Sequence, residues 1–273
     1  MTLDLLRLGR RLLDRLRPTS PLSLVPKPLV CAHHPLVIVW SARSACTSTT
    51  AWFATASGFE PDLPTSGLSV HEYRRKVIYG SPSYRAALRR PLDGLTVVHV
   101  ARDPGDRAVS TFRHALRTGF EDRRLAASPL GPFDREAGFS FARWLDYLEA
   151  IDIRAGNVHY RPQWHPFEET RRPDIVIHVG RQDLFAELDR VGRRLGLPGS
   201  MDRAPPWLAR LEAHRAARQG DIEGGDLSGH PFGRLAAAGR EPWPRPAQLL
   251  TPDTRRRLEA LYAVDVENLM SRV

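Results

Sequence analysis

Three short apolar runs, each followed by a segment with helical spacing, constrain the fold of this 273-residue chain more than any other feature. The runs are LVIVW from residue 36, LTVVHVA over residues 95–101 and DIVIHVG over residues 174–180. A continuous apolar run is typical of a strand covered on both faces. Strands that alternate with helices predict an α/β domain with a central, mostly parallel sheet flanked by helices.

The segments outside these units divide into helices and irregular stretches. Residues 140–150 and 253–270 carry apolar residues at helical spacing, which predicts two amphipathic helices. Residues 119–138 and 220–252 are rich in Gly, Pro and polar residues, so we expect irregular loops or lids there.

The N-terminal part is predicted to stand apart from the sheet. In residues 3–17 leucines recur at helical spacing with arginines on the other side, which predicts a short amphipathic helix. We favour packing of this helix on the domain over attachment to an anionic membrane. The arginines interrupt its apolar residues, so no signal peptide is expected. The predicted organisation is residues 1–35 as helix and Pro-rich connector, and residues 36–273 as one domain.

The formal net charge of +9 indicates an anionic ligand, nucleic acid or an anionic surface as partner. The arginines are scattered along the chain, so nucleic acid is not the expected partner. Cys31 and Cys46 show neither a metal-like nor a framework spacing, and no apolar stretch approaches about 18 residues. We therefore expect a cytoplasmic protein, with peripheral membrane contact through residues 3–17 as an open alternative.

The segment SARSACTSTT places small and hydroxyl side chains directly after the first predicted strand. A tight turn from a parallel strand into a helix points backbone N–H groups and the helix dipole at one spot, which forms an anion site. Thr47, Ser48 and Thr49 would add hydroxyl donors, and Arg43 would add charge. Thr47 or Ser48 is also suited to cap the helix. The alternative is an ordinary strand–helix turn.

A second turn carries a similar combination. ARDPGDRAVSTFRH places Arg102 where the next strand ends and Ser110 eight residues further, about two turns inside a helix. Ligands of open α/β sheets bind at the carboxyl ends of the strands. Two neighbouring cation-plus-hydroxyl sites predict a ligand with two separated phosphates. The alternatives are a local Arg102–Asp103 salt bridge and, for Arg107, a solvated helix face.

Together the two turns resemble the sulfotransferases that use 3′-phosphoadenosine-5′-phosphosulfate (PAPS), in particular the Golgi-type carbohydrate branch. ARSACTS resembles the family's 5′-phosphosulfate loop, and RDPGDRAVSTF resembles its 3′-phosphate segment. NVHYRPQ, residues 157–163, is similar to the H-W-x-P-Q stretch of that branch, with Tyr160 in place of Trp. The resemblance implies a three-layer P-loop-like domain that transfers a sulfuryl group from PAPS to a hydroxyl of a saccharide or glycoconjugate, with no metal required.

The resemblance also implies roles for individual residues. The 5′-phosphosulfate would be held by Arg43, Ser44, Ala45, Cys46, Thr47 and Ser48, with Thr49 near it, and the 3′-phosphate by Arg102 and Ser110. Where the family usually has Pro-Lys, this chain has Ala42-Arg43. Arginine stabilises charge on a leaving phosphate but does not act as a proton donor. An inactive relative therefore stays an alternative.

The acceptor hydroxyl needs a base, for which the sequence offers two histidines. His71 lies between the two phosphate motifs and is favoured, with Glu72 as a neighbouring option; His159 lies in NVHYRPQ. His99, within a strand, and His114, on a helix, are expected to be structural.

Acceptor recognition is the least constrained part of the prediction. The candidates are aromatic residues that could stack on sugars and arginines that could meet an acidic glycan: Trp144, Trp164, Trp207, Trp243, Arg123, Arg124 and Arg161. A P-loop kinase or nucleotide triphosphatase is the competing function class. It requires G-x-x-x-x-G-K-[ST], and the loop has neither its glycines nor its lysine.

Overall fold

The structure is a computed structural model, and it describes residues 21–59, 65–132, 134, 136–198, 208 and 222–271. The helix predicted over residues 3–17 and the candidate Trp207 lie outside the described residues.

The chain forms a mixed α/β fold around a central, mostly parallel sheet. The strands are β1 (Leu29–Val30), β2 (Leu36–Trp40), β3 (Thr96–Arg102), β4 (Phe139–Ser140), β5 (Ile175–Val179) and β6 (Pro231–Phe232). The central sheet has the order β1-β2-β3-β5, with β1 antiparallel to β2 and the other neighbours parallel. β4 and β6 form a separate antiparallel pair. The three predicted strands and their parallel pairing are thus confirmed.

The register of the sheet decides which loops become neighbours. Trp40 at the end of β2 pairs with Val100, and Arg102 at the end of β3 pairs with Val179 of β5. The chain segments that leave these three strands therefore emerge along one edge of the sheet. β1 lies in the segment predicted to be a connector, so the sheet begins before residue 36.

Helices follow the strands, as the periodicity predicts. They are α1 (Cys46–Ala56), α2 (Val70–Tyr73, continued by a π-helical turn Arg74–Ile78), α3 (Pro82–Ala87), α4 (Pro104–Thr118), α5 (Asp122–Ala126), α6 (Phe141–Glu149), α7 (Leu184–Arg194), α8 (Arg234–Ala237), α9 (Pro246–Leu249), α10 (Pro252–Leu261) and α11 (Ala263–Asp265, continued by a π-helical turn Val266–Met270). Short 3₁₀ helices occupy Pro21–Ser23 and Pro166–Glu169.

The segments expected to be irregular, residues 119–138 and 220–252, are largely irregular among the described residues. The first also contains the short helix α5, and the second contains β6, α8 and α9. One expectation about the helices is corrected. The helix predicted over residues 253–270 is divided at Tyr262, whose buried hydroxyl donates to the Tyr160 carbonyl. This break turns the chain so that Asp265 reaches the backbone N–H groups of Gln163 and Trp164.

The apolar core contains three of the tryptophans that were candidates for stacking on sugars. Trp144 is fully buried, and Trp243 and Trp164 are 2% and 8% exposed. Phe112 of α4 lies 5.7 Å from Trp243 and 5.4 Å from Phe141, ring centre to ring centre. These tryptophans lie in the interior, so of the two readings left open for them the structure favours core packing over sugar stacking. Among the described residues, no helix combines the length and apolar character needed to cross a membrane.

Candidate active site at the carboxyl edge of the sheet

The turn between β2 and α1 has an unusual backbone. Arg43 and Ala45 have φ angles of 69° and 53°, in the left-handed region that non-glycine residues avoid. Ala45 is the residue before α1, and no side chain caps that helix. The predicted cap by Thr47 or Ser48 is therefore wrong. Because the chain enters the helix before these two residues, they lie in its first turn, where backbone N–H groups have no partner within the helix.

The hydroxyl groups of this turn face different surroundings. Ser44 is fully buried and donates to Gln163 Oε1 at 2.7 Å. Thr47 Oγ1 lies 3.5 Å from His71 Nε2. Thr49 is fully buried, and its hydroxyl has no hydrogen-bond partner among the described residues. Three hydroxyl side chains were predicted to face a ligand. Thr47 and Ser48 lie in the first turn of α1, and Thr49 lies in the interior.

The two predicted phosphate motifs contact each other directly. Arg43 Nε and Nη2 donate to Ser110 Oγ at 3.0 and 2.8 Å. Arg102 Nη1 donates to the carbonyl of Arg43 at 3.2 Å. The guanidinium of Arg43 in the first motif thus binds the hydroxyl of Ser110 in the second. In turn, Arg102 of the second motif stabilises the backbone of the first turn. Residues 67 positions apart along the chain share one site.

Arg107 is a correction to the expected solvated helix face. It is 2% exposed, and Nε donates to the carbonyl of Ala42 at 3.0 Å. Its guanidinium also lies over the ring of Tyr262, 5.9 Å from the ring centre. Burial lowers its pKa below the ordinary arginine value. The sequence suggested a solvated helix face for Arg107, but backbone carbonyl groups take the place of water as acceptors for its guanidinium.

Asp103 does not serve as the local partner of Arg102. Its side chain instead accepts a hydrogen bond from the backbone N–H of Asp106 at 3.1 Å, which caps α4. Pro104 occupies the first position of that helix. The side chain of Arg102 remains directed to the first turn.

Gln163 joins the two turns and was not among the predicted site residues. It is 2% exposed; its Oε1 accepts from Ser44 Oγ and from the Arg102 backbone N–H at 2.7 and 2.9 Å. Its Nε2 donates to the carbonyl of Arg102 at 2.7 Å. Asp265, fully buried, receives the backbone N–H of Gln163 at 2.8 Å. The only signal in the sequence was its place in NVHYRPQ.

Three histidines surround this site. His71 is exposed and faces Thr47, whereas His159 and His114 are half-buried with their ring centres 4.7 Å apart. Burial, followed by the charge of Arg43, lowers the pKa of His159 to about 4 and that of His114 to about 3. Both rings are therefore neutral at pH 7. His114, expected to be structural, lies one helical turn after Ser110 and faces the site, a spacing that the sequence already contained.

The remaining predicted residues are one buried histidine, His99, and three arginines. His99 is fully buried with Nδ1 2.7 Å from Glu168 Oε1, as expected of a structural histidine. Arg123 and Arg124 are exposed on α5, and Arg124 pairs with Glu121. Arg161 donates to the carbonyl of Gly156 at 2.7 Å.

A cavity of about 250 Å³ lies farther along the same edge, at the end of β5. His178 lines it, is 4% exposed, and has no hydrogen-bond partner for either ring nitrogen among the described residues. The remaining lining residues are Asp103, Asp106, Val179, Gly180, Arg181 and Arg255. The cavity adjoins Arg102 through its chain neighbour Asp103 and its strand partner Val179.

Within the described ranges, no group of three His, Cys, Asp or Glu side chains is arranged to hold a metal ion. No model of a known protein family, no curated protein and no solved structure matches this chain.

Proposed function

We propose that the protein is a PAPS-dependent sulfotransferase that transfers a sulfuryl group to a hydroxyl of a saccharide or glycoconjugate and releases adenosine 3′,5′-bisphosphate. The observation that carries this proposal is the contact between the two anion-binding turns, through Arg43–Ser110 and Arg102–Arg43. Both phosphates of the nucleotide are attached to one ribose, so their binding sites must be immediate neighbours.

The first turn supplies the 5′ end of the nucleotide site. The first N–H groups of α1, which include those of Thr47 and Ser48, and the positive end of the helix dipole favour an anion there. The 11-residue helix has no acidic residue in its first turn and no side-chain cap that would compete with a ligand. In this proposal β2, the turn and α1 form the phosphate-binding part of a three-layer P-loop-like domain.

The second turn supplies the 3′ end. The Ser110 hydroxyl accepts from Arg43, and it still has its own proton to donate to a phosphate oxygen. Arg102 adds a second guanidinium beside it. The cavity at the end of β5 adjoins Arg102 and leaves room for the nucleoside, with the unpartnered ring nitrogens of His178 as hydrogen-bonding groups.

The chemistry requires positioning and charge stabilisation more than covalent participation by the protein. The acceptor oxygen attacks sulfur in line, and negative charge develops on the departing 5′-phosphate. Arg43 would stabilise that charge without donating a proton. His71 and His159 are the two candidates for accepting the hydroxyl proton.

A relative that binds the nucleotide without transferring sulfuryl is the second candidate. The observation that favours it is the replacement of the family's usual lysine by Arg43, two of whose five N–H groups already donate to Ser110 and so would not reach the leaving phosphate.

Thermal unfolding of the purified protein tests the proposal. A ligand that binds the native state raises the midpoint by mass action. We expect stabilisation by adenosine 3′,5′-bisphosphate, and little effect from ATP with Mg²⁺ or from short DNA. A larger response to ATP with Mg²⁺ would favour a kinase or nucleotide triphosphatase. Stabilisation by the bisphosphate without any transfer from labelled PAPS to a mixture of saccharides would favour the inactive relative.

A further inference from the structure

A hydrogen bond to Asn157 determines which ring nitrogen of His159, beside the proposed phosphate sites, carries the proton. The backbone N–H of His159 donates to Asn157 Oδ1 at 3.1 Å, and His159 Nδ1 lies 2.7 Å from the same atom. A backbone N–H only donates, so the Asn157 atom that it meets is the amide oxygen. Because that oxygen is an acceptor, Nδ1 must carry the proton. In the neutral ring, Nε2 therefore has the available lone pair.

The same histidine is held firmly by its surroundings. Its carbonyl accepts hydrogen bonds from Arg107 Nη2 at 3.3 Å and from Thr111 Oγ1 at 3.0 Å. Its ring packs against those of His114 and Phe120, with centres 4.7 and 4.8 Å away. Backbone and ring are thus both fixed, as a group that receives a proton in a defined direction requires.

The ring of His159 lies beside residues that are proposed to bind the donor nucleotide. His114, its ring neighbour, lies one helical turn after Ser110, the hydroxyl that Arg43 holds. The charged groups facing it are Arg43 and Arg107, with His71 further contributing, and with burial they keep the ring neutral at pH 7. His71 differs: it is exposed, and its Nε2 faces Thr47 in the first turn of α1, where the donor phosphosulfate is proposed to bind.

We propose that His159 Nε2, oriented by Asn157, accepts the proton of the acceptor hydroxyl, and that His71 contacts the donor. This assignment rests on the proposed sulfotransferase function and reverses the preference for His71, which was based on its place between the two phosphate motifs. As the acceptor oxygen bonds to sulfur, its proton passes to Nε2. The bond between sulfur and the 5′-phosphate oxygen breaks, and its electron pair leaves with adenosine 3′,5′-bisphosphate.

Steady-state kinetics of histidine variants test the assignment, with labelled PAPS as donor and a mixture of glucose, galactose and N-acetylglucosamine as acceptors. We expect His159→Gln to lower kcat on the order of 10²-fold with little change in KM for PAPS. His71→Gln should raise KM for PAPS more than it lowers kcat. His33→Gln is the matched control, because His33 is exposed and lies before β2, at the opposite edge of the sheet.

Variants of Asn157 separate positioning from simple structural support. Asn157→Ala should lower kcat on the order of 10-fold, since the proton is no longer held on Nδ1. Asn157→Asp keeps an oxygen acceptor and should restore most of that loss. Nitrogen–proton NMR correlations of the His159 ring should show the Nδ1–H form in the wild type and a mixture of the two forms in Asn157→Ala.

The failures can be told apart. Wild-type protein that neither binds adenosine 3′,5′-bisphosphate nor transfers sulfuryl refutes the proposed function, and this assignment with it. Wild-type turnover with unchanged kcat in His159→Gln refutes only the role of His159. An Nε2–H form of the wild-type ring overturns the role of Asn157.

Discussion

The two turns at the carboxyl edge of the sheet are built in opposite ways. In the turn before α4, few backbone N–H groups are left for a ligand, because Pro104 lacks an N–H and the side chain of Asp103 accepts the N–H of Asp106. The turn before α1 passes through left-handed Arg43 and Ala45 and has no side-chain cap. An anion at the first turn can thus use several backbone N–H groups and the helix dipole, whereas one at the second meets fewer free N–H groups and relies more on side chains.

This contrast assigns different duties to the two arginines. Under the proposed function, Arg43 lies beside backbone N–H groups that would attract the 5′-phosphate, so its charge would be available for the bond that breaks. Arg102 lies beside a helix start that Asp103 already caps, so it and Ser110 would supply the affinity for the 3′-phosphate.

Arg43→Ala should have the largest effect, on transfer. Removing a group that stabilises charge developing on the leaving phosphate is expected to lower kcat by about 10²- to 10³-fold. Single-turnover transfer from labelled PAPS measures the loss. Arg85→Ala, which changes an exposed arginine on α3, is the control and should transfer at the wild-type rate. Full turnover by Arg43→Ala would show that the first turn is not catalytic.

Gln163→Leu should damage both turns at once. The variant leaves the buried Ser44 hydroxyl and the Arg102 backbone groups without their partner, which costs about 1–3 kcal/mol in the free energy of unfolding. Urea unfolding measures this cost, and calorimetry should show weaker binding of the bisphosphate. Gln248→Leu, which removes hydrogen bonds to Ile222 and Gly224 away from this site, should leave binding unchanged. Loss of stability with unaltered affinity would mean that Gln163 supports the fold alone.

Acidification should destabilise the protein through the paired histidines beside Arg43. The pKa of His159 is lowered to about 4 and that of His114 to about 3, chiefly by burial. As the pH falls below the ordinary histidine value near 6.5, the unfolded state takes up protons that the folded state does not, so the free energy of unfolding decreases, through His159 down to about pH 4 and through His114 down to about pH 3. Replacing both histidines with Gln should flatten this part of the profile. An unchanged slope would show that neither ring is held neutral.

Stability should respond in opposite directions to changes at the two helix starts. Asp103→Ala removes a cap and should lower the free energy of unfolding by about 1 kcal/mol. Ala45→Gly should raise it by a few tenths up to about 1 kcal/mol, because glycine adopts the left-handed conformation without strain. Thermal unfolding of the two variants measures both effects. Destabilisation by Ala45→Gly would mean that the left-handed turn carries no strain.

The sequence predicted the sheet well because its physical signals are local. Buried parallel strands are continuous apolar runs, and their carboxyl ends share an edge, so the closeness of Arg43 and Arg102 followed from strand positions alone. The left-handed Ala45 left no trace, since alanine rarely adopts that conformation. The hydrogen bonds of Gln163 and the burial of Arg107 depend on segments more than fifty residues away in the chain. Those long-range contacts were out of reach of local patterns.

In the proposed function, the two turns hold opposite ends of one doubly phosphorylated nucleotide. Calorimetry with adenosine 3′,5′-bisphosphate and adenosine 5′-monophosphate, on the wild type and on Arg102→Ala, tests it directly. The wild type should bind the bisphosphate on the order of 10- to 100-fold more tightly than the monophosphate, and Arg102→Ala should abolish that difference while keeping its affinity for the monophosphate. Equal affinities for the two nucleotides in the wild type would contradict the account.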